Sequence, residues 1–324
     1  MREIIKERFV FSLKYFIGLI LLGWILYKVD RQKMVETLLN LQIETIIIVL
    51  LFALINLSLQ FRLWKYLIES HSHHYRIKDL LPSFFAGFAL RLMIPGGHAE
   101  VTKVFLLQGR KRGKVIAFGV EKIFQTALKV VLVSFALSIV FPDYNLLWIV
   151  GALIIVGFFL SPIFLKKERF QKFQEKEVAY PKIFFTSLIH SLPIFACITL
   201  QYFYLLNQSF DVTLFQTGIV TVFIWGAGLI PISVSGLGVR ENLAVFFLAQ
   251  YSVPGAAAVG ISLLVFFINA IIPAIIGIFT IMKRRHDIKE AGGEIKRMTK
   301  NVYQQGKKRF NGKKSEETRL KNKN

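Results

Sequence analysis

The sequence predicts an all-α integral membrane protein with about seven full transmembrane helices and two re-entrant helical hairpins forming an inverted repeat. Three observations lead there. Apolar residues make up 54% of the 324 residues and charged ones 19%, whereas soluble domains carry about 25% charged. The apolar residues lie in runs close to the roughly 20 residues that cross a bilayer, rather than in half-polar stripes. Two further apolar stretches are broken by Pro and Gly, and they resemble each other. The 31 Phe and the mean hydropathy of +0.52 would also suit a very large soluble core, but the run lengths argue for a membrane.

The first run, 9–27, follows a basic start, MREIIKER. No small-residue cleavage site follows it, and at about 1.5 Å per residue it reaches across hydrocarbon, so it is expected to be a retained helix. Further full spans are expected near 44–67, 115–141, 146–165, 183–206, 214–232 and 256–282. Residues 80–107 and 236–251 are also apolar. Pro95, Gly96 and Gly97 interrupt the first of these, and Pro231, Gly236 and Gly238 lead into the second. The membrane unit is thus 1–282, and 283–324 is a basic tail expected to be disordered and cytoplasmic.

Orientation follows from the cations. The chain has 41 Lys plus Arg and 20 Asp plus Glu, a net charge of +21. Arg2, Lys6 and Arg8 precede the first run. Arg110, Lys111, Arg112 and Lys114 crowd one connection, and Lys166, Lys167, Arg169, Lys172, Lys176 and Lys182 another. The connections 142–145 and 207–212 have no Lys or Arg. Basic loops stay cytoplasmic, which puts both termini there, with 28–33 a mild exception. Under that orientation 80–107 leaves and returns on the cytoplasmic side, and 214–251 on the outer side. Non-helical backbone at membrane depth needs protein or a watery cavity around it, so a polar site between the two hairpins is expected.

The hairpins also align. PGGHAEVTKVFLLQ beside SGLGVRENLAVFFLAQ matches Gly97 with Gly238, Glu100 with Glu241, Val104 with Val245, Phe105 with Phe246 and Leu107 with Leu248. Glycine permits the sharp turn, and a carboxylate in a first helical turn complements the positive helix end. Interrupted helices with solvated caps would give the same string.

Ionisable groups inside spans cost roughly 2.5–3.5 kcal/mol each on insertion scales, so each needs a partner, water or a function. Arg91, Glu100 and Lys103 lie in the first hairpin, and Arg240 and Glu241 in the second. Glu121, Gln125 and Lys129 recur every four residues on one helix face, with Lys122 beside them. They either line a cavity or snorkel at the cytoplasmic interface. Asn56, Gln60 and Asn269 read as interhelical hydrogen-bond formers. His71, His73 and His74 read as a solvated loop rather than a metal site, and His190 beside Ser187 and Ser191 as a packed histidine. Cys197 is the only cysteine, which excludes an internal disulfide, and it reads as an apolar filler.

IPGGHAEVTKVFLLQGR with GVEKIFQTAL, and GLIPISVSGLGVRENLAVFFLAQYSVPGAAAVGISLLVFFINAIIPAIIG, resemble the lysylphosphatidylglycerol synthase transmembrane region, or flippase-like domain, family. The second stretch carries its more specific signature in Pro231, Gly236, Gly238, Arg240 and Glu241, and the likeness runs over 9–282. It implies a bacterial plasma-membrane protein that moves a phospholipid such as lysyl-phosphatidylglycerol, or a lipid-linked head group, between leaflets. Larger members add a soluble half that makes the lysyl lipid. Only a tail of about 40 residues follows Met282 here, so lysyl transfer by this polypeptide is not expected.

On that footing Arg91 and Arg240 are expected to meet a lipid phosphate, since Arg presents a planar fork of donors. Lys103 joins them, with Glu100, Glu121 and Glu241 balancing charge. No Walker motif is present, no metal or cofactor is expected, and no nucleophile–base set stands out. The tail holds fifteen Lys or Arg against five Asp or Glu, which beside a membrane suits anionic lipid rather than nucleic acid. A membrane-embedded transferase and a lipid-binding scaffold for a separate synthase remain as alternatives, and a homo-oligomer is a further expected partner.

Overall fold

The structure is a computed structural model that describes residues 19–93, 98–109, 112–165, 180–229 and 233–283. Among them every regular element is helical. Helix α1 (Leu19–Lys28) leads to α2 (Arg31–Leu39), then α3 (Ile43–His71), α4 (Ile77–Met93), α5 (Thr102–Phe105), α6 (Arg112–Val140) and α7 (Trp148–Leu165). After these come α8 (Tyr180–Asn207), α9 (Leu214–Gly226), α10 (Val239–Leu248), α11 (Gly255–Phe266) and α12 (Ile272–Lys283). Helices α11 and α12 are joined by a π-helical segment, Phe267–Ile271, into one rod.

Among the described residues four helices are long and apolar enough to cross a membrane: Ile43–His71, Arg112–Val140, Pro181–Asn207 and Gly255–Lys283. Shorter apolar helices are Leu19–Lys28, Pro142–Gly157 and Leu214–Leu229. The expected span at 9–27 lies partly outside the described residues. The one at 214–232 is shorter than expected, because the α-helix ends at Gly226 and tightens to a 3-10 turn over Ala227–Leu229. Gly226 and Gly228 explain this ending, since glycine weakens a helix by about 1 kcal/mol per residue.

Two apolar cores flank the middle of the molecule. One joins Val49, Ala136, Leu205, Leu206, Val212 and Phe223 with Phe247, Leu248 and Ile261. The other joins Leu63, Trp64, Leu67 and Phe84 with Leu107, Ala117 and Ile183. Each of α3, α6 and α8 contributes to both, one end to each core. A polar layer separates the cores. In it the Gln60 amide donates to Asn56 (2.8 Å), Asn56 to Asn269 (3.0 Å) and Asn269 to Gln201 (2.7 Å). Asn56 and Asn269 form the interhelical hydrogen bonds expected of them, whereas the Gln60 bond stays within α3, one turn from Asn56; interhelical bonds of this kind average about 0.6 kcal/mol each in membranes.

The two Gly-broken stretches have related but unequal forms. In the first, α4 packs against a 3-10 turn (His98–Val101) and α5, and the Ser83 hydroxyl donates to the Lys103 carbonyl at 2.6 Å. Pro95, Gly96 and Gly97 lie outside the described residues, as does Pro231. In the second, α9 packs against α10. Gly236 and Gly238 take φ of +77° and +80°, the left-handed backbone that glycine adopts without a side-chain clash. Of the aligned pairs, Leu107 and Leu248 are both buried, whereas Phe105 is buried and Phe246 exposed.

Candidate functional site

The first stretch and α6 form an ion cluster that closes on itself. Lys103 Nζ donates to Glu100 Oε1 (3.1 Å) and Glu121 Oε2 (2.9 Å). Lys122 Nζ donates to Glu100 Oε2 (2.7 Å) and Gln125 Oε1 (3.2 Å). The Gln125 amide returns to Glu121 Oε1 at 3.3 Å, completing a ring of five side chains. The side chains of Lys103, Glu100 and Glu121 are 3%, 8% and 9% exposed. Lys103 also lies 3.9 Å from the centre of the Trp64 ring. A buried charge is tolerable only when paired and hydrogen-bonded, as all three are here. The i, i+4 spacing of Glu121, Gln125 and Lys129 does put them on one face, and that face lines a cavity.

In the second stretch Glu241 is fully buried in the first turn of α10. Its Oε2 accepts the Gly238 N–H at 2.6 Å and its Oε1 accepts from Arg240 at 3.3 Å. This is the reach-back of a third-position glutamate to an N-cap amide. Ser262 adds a 3.5 Å contact to Oε1, with the Tyr202 hydroxyl behind it. Arg240 spreads over the Phe266 ring, 3.9 Å from its centre.

Between these two sets lies a cavity of about 380 Å³, within the range of small-ligand sites. Arg91 and Glu100 wall it from the first stretch, Ser233, Ser235, Gly236 and Arg240 from the second, and Glu121, Lys122, Gln125 and Lys129 from α6. Asn56, Thr126, Ile194 and Asn269 also line it. Each stands within one residue of the midpoint of one of the four long apolar helices, so the cavity lies halfway along all four.

Of the residues expected at a site, Arg91, Glu100, Glu121 and Arg240 line this cavity. Lys103 and Glu241 stand behind it, each bonded to a lining residue. Lys122 and Lys129 were not among the expected head-group residues, although the four-residue stripe runs to Lys129. Nor were the hydroxyls of Thr221, Ser233 and Ser235, two of which were visible as polar letters in PISVSG. The expected basic-loop residue Lys114 is instead buried, donating to the carbonyls of Leu107 (2.5 Å), Gln108 (3.0 Å) and Gly109 (3.2 Å). Carbonyls just past the end of a helix lack intrahelical partners, and the Tyr75 hydroxyl also donates to that of Gln108, at 2.9 Å.

A family model described as Lysylphosphatidylglycerol synthase TM region matches residues 11–277. The chain belongs to that family. As a member of the lysylphosphatidylglycerol synthase TM region family with four helices long enough to span among the described residues, it is a multi-pass helical membrane protein. The Gly236, Gly238, Arg240 and Glu241 signature falls at the cavity wall and the start of α10. Comparison with curated proteins gave no match.

Elsewhere, His71 is buried with Nδ1 2.8 Å from the Leu67 carbonyl, and His74 pairs with Glu69 at 3.2 Å. His190 Nδ1 lies 2.8 Å from the Thr186 carbonyl, the packing expected of it. Cys197 is buried.

Proposed function

We propose that this protein is a lipid translocase whose mid-span cavity receives a lipid head group and passes it between leaflets. The observation that carries this reading is the placement of charge. Four cationic side chains, Arg91, Lys122, Lys129 and Arg240, line the cavity with two carboxylates, Glu100 and Glu121. Two positive charges are left over, halfway along the spans, where an uncompensated charge is costly unless it serves transport. In this reading the stretch around α4 and α5 dips in from the cytoplasmic face and the one around α9 and α10 from the outer face. The broken backbone is tolerated because it borders the cavity.

The head group would enter between the hairpins while its acyl chains stay in lipid, and rocking of one half of the repeat against the other would change the leaflet to which the cavity opens. A membrane potential supplies about 2.3 kcal/mol per charge per 100 mV to such a step. The termini lie in the cytoplasm of the cell membrane, where the tail at 283–324 holds anionic lipid. The protein reconstituted into vesicles is expected to accelerate leaflet exchange of a fluorescent phospholipid over empty vesicles. Arg240→Ala should reduce the acceleration at least tenfold with the protein still folded by circular dichroism. Equal exchange with and without protein would refute the reading.

A further inference from the structure

The cavity walls have donors to spare and no free acceptor of charge, and from this we infer that the head group bound there is an anionic phosphate without an ammonium, not a lysyl-esterified or ethanolamine one. The inference rests on the translocase reading above for its lipid, and on hydrogen-bond accounting for its chemistry.

All six carboxylate oxygens around the site are already engaged. Both oxygens of Glu100 accept from lysines, those of Glu121 from Lys103 and Gln125, and those of Glu241 from the Gly238 amide and from Arg240. An incoming ammonium would meet only carboxylates whose charge a lysine or arginine already neutralises, in a cavity lined by four cationic side chains and two carboxylates. Aromatic faces could hold a cation instead, but the protein's own cations cover three of the four aromatic rings that line the cavity, all but Tyr202. Lys129 lies 5.0 Å from the Trp225 ring centre, Arg91 4.9 Å from Phe88 and Arg240 3.9 Å from Phe266.

The donors show the reverse. Arg91 Nε, Arg240 Nε, Thr221 Oγ1, Ser233 Oγ and Ser235 Oγ are buried with no hydrogen-bond partner within the protein, and all five residues line the cavity. Lys129 has no carboxylate partner among the described residues. Buried polar groups without partners are rare in native proteins, and several on one wall point to a missing ligand. The ligand that satisfies guanidinium, ammonium and hydroxyl donors together is a multi-oxygen anion, and a lipid phosphate fits. Ser235 holds φ of +53°, a left-handed backbone that is uncommon outside glycine and occurs at ligand clamps.

The test is calorimetric titration of the full chain in neutral-detergent micelles with dioctanoyl phosphatidylglycerol, its lysyl ester, dioctanoyl phosphatidylethanolamine and inorganic phosphate. Phosphatidylglycerol is expected to bind at least tenfold more tightly than the other three. Arg91→Gln and Lys129→Gln should each weaken it at least fivefold without changing the secondary structure. Equal or tighter binding of the lysyl ester or of phosphatidylethanolamine would overturn the assignment. Inorganic phosphate binding as tightly as the lipid would overturn its lipid part. Selective phosphatidylglycerol binding without leaflet exchange would remove the translocase and leave the head-group assignment standing. Exchange of the lysyl lipid would do the opposite.

Discussion

Lys103 is bound by two carboxylates from different parts of the chain, Glu100 three residues away and Glu121 on α6. Replacing it with methionine keeps the bulk and removes the charge, which leaves Glu100 and Glu121 buried with Lys122 as their only cation in the ring. Breaking a buried pair on one side costs about 3–5 kcal/mol. Lys103→Met is therefore expected to lower the thermal unfolding midpoint in detergent clearly. An unchanged midpoint would mean that the ring contributes nothing to the fold. The sequence makes part of this legible: Glu121, Gln125 and Lys129 announce a shared face by spacing alone. It cannot reveal that Lys103 bridges to α6 or that Lys114 is buried, because both depend on which element folds over the α4–α5 stretch. The counterpart of Lys103 in the aligned second stretch is Ala244, and that of Arg240 is Ala99, so the two glutamates find their cations on opposite sides. A short alignment matches the carboxylates and hides that difference.

Helices α4 and α12 pack closely over much of their length, and one glycine allows it. A Cβ on Gly277 would stand 2.1 Å from the Phe85 carbonyl oxygen and 3.0 Å from Ala89 Cβ. Because the near neighbour is backbone, the helices would have to part. Gly277→Ala is expected to destabilise by about 1–3 kcal/mol, the usual range for overpacking. Gly119 on α6 has nothing within 4 Å of its Cβ position, so Gly119→Ala should be neutral or slightly stabilising. Thermal unfolding of the two variants side by side decides, and equal stability would deny the close contact. At this scale the apolar runs at 44–67, 115–141, 183–206 and 256–282 correspond to the four helices long enough to span, whereas the run at 214–232 gives a shorter one. The π-helical turn at Phe267–Ile271 is not legible, since it surrounds Asn269, whose partners Asn56 and Gln201 come from α3 and α8.

For the molecule as a whole, the decisive arrangement is a polar cavity halfway along four apolar helices, with an apolar core toward each end and a Gly-broken stretch on either side. The paired stretches point to a polar cavity between them, and residues of both line the one present. Its donor-rich wall of Thr221, Ser233 and Ser235 was not, because small hydroxyls in apolar runs are equally at home bonded to helix carbonyls. The central claim, that lipid head groups pass through this cavity, requires that charged groups from the water phase reach it. With Cys197→Ala a background without cysteine results, into which Ser191→Cys and Ser235→Cys are placed at the cavity wall and Leu192→Cys at an outward position 44% exposed. In intact vesicles, a charged, membrane-impermeant thiol reagent is predicted to modify the two cavity cysteines and spare Leu192→Cys, which would face lipid. Protection of both cavity cysteines, with modification only after solubilisation, would contradict the account.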